Sequence, residues 1–155
     1  MSRKPPNSVV STREFTASAK EVFEAWTNPE IMRHWLAPGE NVVSEIEADA
    51  RIGGALLIRS RSPDGAIHTI RGVYRELDPP QRIAMTWVYS GPFALICAVE
   101  TLIEIDIENV GRDRTAMTFT QSRFTTEDVA KAYQGDWPSC FEKLQSILGL
   151  PGRRH

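Results

Sequence analysis

Apolar residues recur at Val129, Ala132, Tyr133, Trp137, Cys140, Phe141, Leu144, Ile147 and Leu148, in steps of three and four. That spacing predicts one amphipathic helix over Thr125 to Leu150 with a continuous apolar stripe. Thr125 or Thr126 offers a capping oxygen, and Glu127 and Asp128 set negative charge against the free N–H groups of the first turn. Gly149 and Pro151 end the helix. Pro138 deprives the Gln134 carbonyl of its partner, which predicts a kink, or a restart with Asp136 as cap. Gly135 removes bulk and lets the helix pass close to a sheet or a ligand.

Ahead of that helix the period is mostly two. Val9 to Phe15 alternates as a strand. Ser18 with Glu21 forms a capping box for a short helix whose apolar side is Val22, Phe23, Ala25 and Trp26. Asn28 caps a second one, with Pro29 in its first turn and Trp35 and Leu36 among its contacts. Val42 to Ala48, Gly53 to Arg61 and Ile67 to Leu77 then read as strands, with Asp64-Gly65 at a hairpin tip. Ile83, Met85, Trp87 and Tyr89 share a face of the next strand. Ile103, Ile105 and Ile107 alternate with Glu104, Asp106 and Glu108, which predicts a half-buried strand with its acids in water. Thr115 to Ser122, with Met117 and Phe119 on one face, is the last strand.

This order predicts an α+β fold. A curved antiparallel sheet of about six or seven strands wraps a long C-terminal helix, and two short helices follow the first strand. The expected division is a tail over 1–8, a single domain over 9–150 and a tail over 151–155. A curved sheet gripping a helix leaves space between them, and concave apolar space is the usual form of a small-molecule site.

Composition narrows the function classes. The 155 residues suit one domain, and 41% hydrophobic content supports a core without staples. A net charge of -2 exerts no general pull on nucleic acid or an anionic membrane. Arg59, Arg61 and the Arg153-Arg154 tail are not interleaved with stacking aromatics, so no nucleic-acid partner is expected. Cys97 and Cys140 are read as buried free thiols of a reducing compartment. No leader pattern or membrane-length apolar run is visible, which makes the cytoplasm the expected location and leaves no membrane partner. His34, His68 and His155 lie far apart and no ligand spacing joins them, so no metal is expected. Gly53-Gly54 lacks the lysine of a phosphate loop, and no cofactor is expected.

A family resemblance emerges from blocks taken in order. They begin with Val22-Phe23-Glu24-Ala25-Trp26-Thr27-Asn28-Pro29-Glu30, then Trp35. Asp49-Ala50-Arg51-Ile52-Gly53-Gly54 and Gly72-Val73-Tyr74-Arg75-Glu76 follow. Pro79-Pro80, Arg82-Ile83, Thr86-Trp87, Glu100-Thr101, Thr115, Thr118, Gln121, Gly135 and Trp137 complete the series. The chain from about Val10 to Gly149 resembles the family related to the activator of the Hsp90 ATPase, within the START-like (SRPBCC) helix-grip superfamily. The resemblance implies a cavity between the long helix and the sheet. It supplies no catalytic set.

The leading expectation is non-enzymatic binding of a small, largely hydrophobic organic ligand. Trp87, Tyr89, Ile103, Met117, Phe119, Tyr133, Trp137 and Phe141 are the expected cavity wall. Arg71, Arg75, His68 and Cys140 are candidate polar groups of the cavity. Alternation puts Arg71 and Arg75 on one face and His68, Tyr74 and Glu76 on the other, but a bulge can exchange the faces. The alternatives are a cyclase- or hydrolase-type enzyme, with an Arg or His polarising a carbonyl, and a co-chaperone-like interaction module. A homodimer and a chaperone partner are left open.

Overall fold

Alternation in the middle of the chain becomes one seven-stranded antiparallel sheet. Its strands are β1 (Val9–Phe15), β2 (Val42–Ala48), β3 (Ala55–Arg61), β4 (Ile67–Asp78), β5 (Arg82–Ser90), β6 (Glu100–Gly111) and β7 (Arg114–Ser122). Across the sheet they run β1-β7-β6-β5-β4-β3-β2. The helices are α1 (Ala19–Glu24), α2 (Pro29–Met32) and α3 (Glu127–Leu148). The computed structural model describes residues 8–149, so the expected tails over 1–8 and 151–155, Ser8 apart, and Leu150 at the expected helix end lie outside the described residues.

The capping signals act as the sequence requires. Ser18 Oγ accepts from the Glu21 N–H at 3.1 Å while Glu21 returns a bond to the Ser18 N–H. Asn28 Oδ1 accepts from the Glu30 N–H, and Thr126 Oγ1 from the Val129 N–H. At the opening of β3, Gly53 takes a φ of +86°, a left-handed value open to glycine. A Cβ on Gly54 would sit 1.9 Å from the Asp49 carbonyl oxygen, so the chain can cross itself there only with glycine.

Strand faces follow the pairing. Ile103, Ile105 and Ile107 are buried; Asp106 and Glu108 are exposed and Glu104 half-exposed. Glu104 and Asp106 are not featureless, however. With Glu76 of β4 they surround the Arg82 guanidinium, whose Nη1 lies 2.9 Å from Asp106 Oδ1. In β4 the pairs Ile70↔Tyr89 and Tyr74↔Met85 put even-numbered residues on the concave face. A bulge between Tyr74 and Glu76 then exchanges the faces, and Leu77 pairs with Ile83. Arg71 and Arg75 are therefore exposed on the outer side. Water solvates both guanidinium groups there, which avoids the cost of burying a charge.

Helix α3 lies on the concave face with Val129, Tyr133, Trp137, Cys140, Phe141 and Leu144 buried. Three readings of this helix need correction. It does not restart at Asp136: it runs unbroken from Glu127 to Leu148, with Pro138 and Gln134 on its exposed side, where water can reach the carbonyl that Pro138 leaves free. Gly135 does not permit a close approach; a Cβ there would meet nothing within 4 Å. Ile147 is 45% exposed. The last turn is held to β1 by polar contacts, with Gln145 Nε2 donating to the Glu14 carbonyl and the Thr16 N–H to the Gly149 carbonyl, and Ile147 turns outward. Lys143 is half-buried because its ammonium reaches the Ala37 carbonyl.

Gly135→Ala is expected to raise stability by about 0.5–1 kcal/mol, the helix-propensity difference at an unobstructed site. Ile105→Ala is expected to cost about 2–5 kcal/mol through lost transfer energy and a cavity. Glu108→Gln should stay within about 0.5 kcal/mol. Urea unfolding of the three variants beside the parent checks the assigned faces.

Candidate functional site

The groove between sheet and helix is filled unevenly. Trp26 of the segment after α1 and Trp35 of the segment after α2 enter it side by side, their ring centroids 4.7 Å apart and nearly perpendicular. Trp26 Nε1 donates to Met117 Sδ at 3.2 Å, and Trp35 Nε1 to the Ala25 carbonyl at 3.0 Å. Phe119 packs 4.6 Å from Trp137 and 5.2 Å from Phe141, centroid to centroid. This half of the groove is solid. Ile103, Met117, Phe119 and Phe141, expected in the cavity wall, belong instead to this packed core, because the two tryptophans occupy the space they face.

A buried hydrogen-bonded chain fixes Trp137. Its Nε1 donates to Gln121 Oε1 at 2.9 Å, Gln121 Nε2 donates to Thr101 Oγ1 at 2.9 Å, and Thr101 Oγ1 donates to the Trp87 carbonyl at 3.0 Å. Gln121 is fully buried, so each of its polar atoms depends on these partners.

Beyond Trp137, toward β3, β4 and β5, the groove stays open as a cavity of about 70 Å³. That is room for a few waters or one small organic group. Ile58 and Ser60 of β3, His68 and Ile70 of β4, and Trp87 and Tyr89 of β5 form its sheet wall. Tyr133, Asp136, Trp137 and Cys140 form its helix wall. Leu36, Pro38, Asn41, Phe93 and Ile96 close the sides, and Pro38, Asn41, Phe93 and Asp136 are its more exposed members. Of the candidate polar groups, His68 and Cys140 line this space; Arg71 and Arg75 do not.

The polar atoms of the cavity differ in how well they are satisfied. His68 Nδ1 lies 2.7 Å from Tyr89 Oη, and Nε2 lies 3.0 Å from Ser62 Oγ. Ser62 gives its proton to the Asp64 carboxylate, so it accepts from Nε2–H; in the neutral ring Nδ1 then accepts from Tyr89. Tyr89 Oη also accepts from the Phe93 N–H. The Ser62 hydrogen bond holds the Asp64 carboxyl below its ordinary range. Burial pushes the Tyr133 phenol up, and the nearby Asp136 adds to this. Burial likewise pushes the Cys140 thiol up to about 12, which leaves it a poor nucleophile. Asp136 is raised by burial, with His68 opposing. Tyr133 Oη is buried with no hydrogen-bond partner.

Sequence reasoning passed over Asp136 as a cavity group, although it stands three residues after Tyr133 and beside Trp137, on the apolar stripe. It was read as a helix cap because Pro138 follows. Phe93 and Ile96 were missed because the segment after Gly91-Pro92 carries no periodic signal; it forms a short 3-10 turn at Ala94–Ile96. Cys97 is half-buried rather than fully interior, and Cys140 is buried. Among the described residues no group of three or more His, Cys, Asp or Glu side chains is placed to hold a metal ion. No described helix is long and apolar enough to cross a membrane.

A seven-stranded antiparallel sheet around a long C-terminal helix, with two short helices after the first strand, is the START-like helix-grip fold. Residues 16–149 match the family described as activator of Hsp90 ATPase homolog 1-like protein, and the chain belongs to that family. No curated protein matches the chain. Among solved structures, a protein from Chromobacterium violaceum is 23% identical with a TM-score of 0.79, the alignment covering 93% of this chain and 98% of the other. One from Nitrosomonas europaea is 18% identical with a TM-score of 0.78, covering 95% and 97%. One from Silicibacter pomeroyi is 17% identical with a TM-score of 0.79, covering 91% and 96%. At such identities these likenesses concern the fold.

Two measurements check the site. Trp137→Phe leaves Gln121 Oε1 buried without its donor and is expected to cost at least about 1–3 kcal/mol in a denaturant melt. Asp136 binds its proton more tightly folded than unfolded, so its ionisation opposes folding as pH rises from the ordinary carboxylate range through its raised value. Among the groups around it, His68 opposes the shift, while Asp136 in turn raises Tyr89, Tyr133 and Cys140. Asp136→Asn should therefore be more stable than the parent at pH 7, and the gap should close in melts taken as pH falls below the ordinary carboxylate range.

Proposed function

We propose that this protein binds a small, largely apolar organic molecule without transforming it, in the cavity between β3–β5 and α3. The observation that carries this reading is the unevenly filled groove. One half is packed with aromatic rings; the other is an open space walled by Trp87, Trp137, Tyr133 and Ile58. An apolar wall with a few converging polar atoms is the usual make-up of such sites. The free thiols Cys97 and Cys140 fit a reducing, cytoplasmic setting.

A second reading is favoured by one contact chain. Tyr89, His68, Ser62 and Asp64 join the cavity wall to an exposed carboxylate, an arrangement able to move a proton in a cyclase- or hydrolase-type reaction. Turnover of a bound compound, abolished by His68→Gln, would put that reading ahead.

Trp87 and Trp137 both border the cavity, so occupancy should change tryptophan fluorescence. Titration with a panel of neutral, cationic and anionic single-ring compounds is expected to yield at least one saturable binder. Ile70→Trp, which fills the cavity from β4, should abolish that binding while the far-ultraviolet circular dichroism stays native. A panel with no saturable binder, or binding untouched by Ile70→Trp, would overturn the proposal and put the protein-interaction module first.

A further inference from the structure

Two polar groups of the cavity that lack a hydrogen-bond partner stand on one face of α3. Tyr133 Oη is buried and unpartnered, and Tyr133 itself is 4% exposed. Asp136 follows three residues later on the same face of α3, half-buried, its carboxylate in no hydrogen bond or ion pair among the described residues. An unpaired buried hydroxyl and a partly desolvated carboxylate both weaken the fold unless something meets them.

The charge around them is one-sided. Among the described residues no lysine or arginine lines the cavity. Both nitrogens of His68 are engaged, one with Tyr89 and one with Ser62, so the imidazole has no free N–H to offer. Among the described lining residues Asp136 is thus the one carboxylate, it has no hydrogen-bond or ion-pair partner, and an ionised carboxylate accepts hydrogen bonds but donates none. An anionic ligand would meet like charge, with only neutral donors such as the Tyr133 hydroxyl and the Asn41 amide to offset it. A neutral alcohol could give one hydrogen bond but would leave the charge unmatched. The remaining walls, Trp87, Tyr89, Phe93 and Trp137, present aromatic rings, whose negative faces attract a cation.

Resting on the cavity-binding reading above, we infer that the occupant is a small organic amine bound as its ammonium ion. Its N–H groups are given to Asp136 and Tyr133 Oη, and its hydrocarbon part lies against Trp87, Trp137 and Ile58. The cavity of about 70 Å³ is smaller than the roughly 150 Å³ that encloses benzene, so a single-ring ligand extends past Pro38 and Phe93 on its more exposed side. The acceptor pair is held in advance of binding: both residues stand on α3, and the neighbouring Trp137 is locked to the sheet through Gln121. Preorganisation of that kind lowers the ordering cost of binding.

Calorimetric titration of the full chain at pH 7 with benzylamine, benzyl alcohol and benzoate separates charge from shape. Benzylamine is expected to bind about tenfold or more tighter than benzyl alcohol, and benzoate weakest. Asp136→Asn should cost benzylamine about tenfold or more, the scale of a charge-assisted hydrogen bond, while leaving benzyl alcohol within about twofold. Tyr133→Phe should weaken benzylamine by a smaller factor; it removes an unpaired hydroxyl and should not destabilise the fold. Benzyl alcohol or benzoate binding as tightly as benzylamine would overturn the amine inference and leave the cavity reading intact. Benzylamine binding undiminished in Asp136→Asn would overturn it equally, by moving the ammonium elsewhere. If none of the three binds, the amine inference fails, and the wider panel on the parent and Ile70→Trp decides the cavity reading by itself.

Discussion

The contact between Trp137 and Gln121 holds the architecture in register. Trp137 brings the largest ring of α3 onto the sheet, and its indole N–H must find an acceptor once water is gone. Gln121, fully buried on β7, supplies it and passes the demand on to Thr101 and the backbone of β5. One chain of hydrogen bonds thus runs from the helix across three strands. Losing any member strands a polar atom in an apolar interior, which costs more than the bond itself contributes. The rotation of α3 about its axis follows from this contact, and with it the side on which Tyr133, Asp136 and Cys140 emerge.

The cavity exists because the short helices fill the groove from one side only. Trp26 and Trp35 stack against Phe119, Trp137 and Phe141 and leave nothing to collapse there. The far side, under β3 to β5, receives no comparable ring from α1 or α2. Dense packing and open space are consequently neighbours, divided by the indole of Trp137. A rigid partition next to a cavity suits recognition, since groups held by a packed neighbour need little further ordering.

Polar groups divide along the same line. On the outer face Arg82 gathers three carboxylates in water, where such pairs contribute modestly. On the concave face Gln121 and Thr101 are fully served, and His68 and Tyr89 serve one another. Tyr133 Oη and the Asp136 carboxylate border the cavity without a hydrogen-bond partner among the described residues. Among the described residues the one buried side-chain polar atom without a partner, Tyr133 Oη, borders open space.

Local chemistry in the chain was enough for the elements and their order. Ser18 with Glu21, Asn28 with Pro29, and Thr126 start their helices through short-range bonds that a sequence displays directly. The alternation of Ile103, Ile105 and Ile107 with acids determined the dry face of β6, because a strand has one period and two sides. Tertiary structure decided what depends on meeting other elements. Pairing with β5 put Arg71 on the outer face, and the bulge after Tyr74 turned Leu77 inward, since an extra residue exchanges the sides without altering composition. Space decided that Gly135 faces water, that Phe119 and Phe141 are core, and that Asp136 is a cavity group rather than a cap. In each case the deciding quantity was the distance to a residue remote in the chain, which periodicity does not carry.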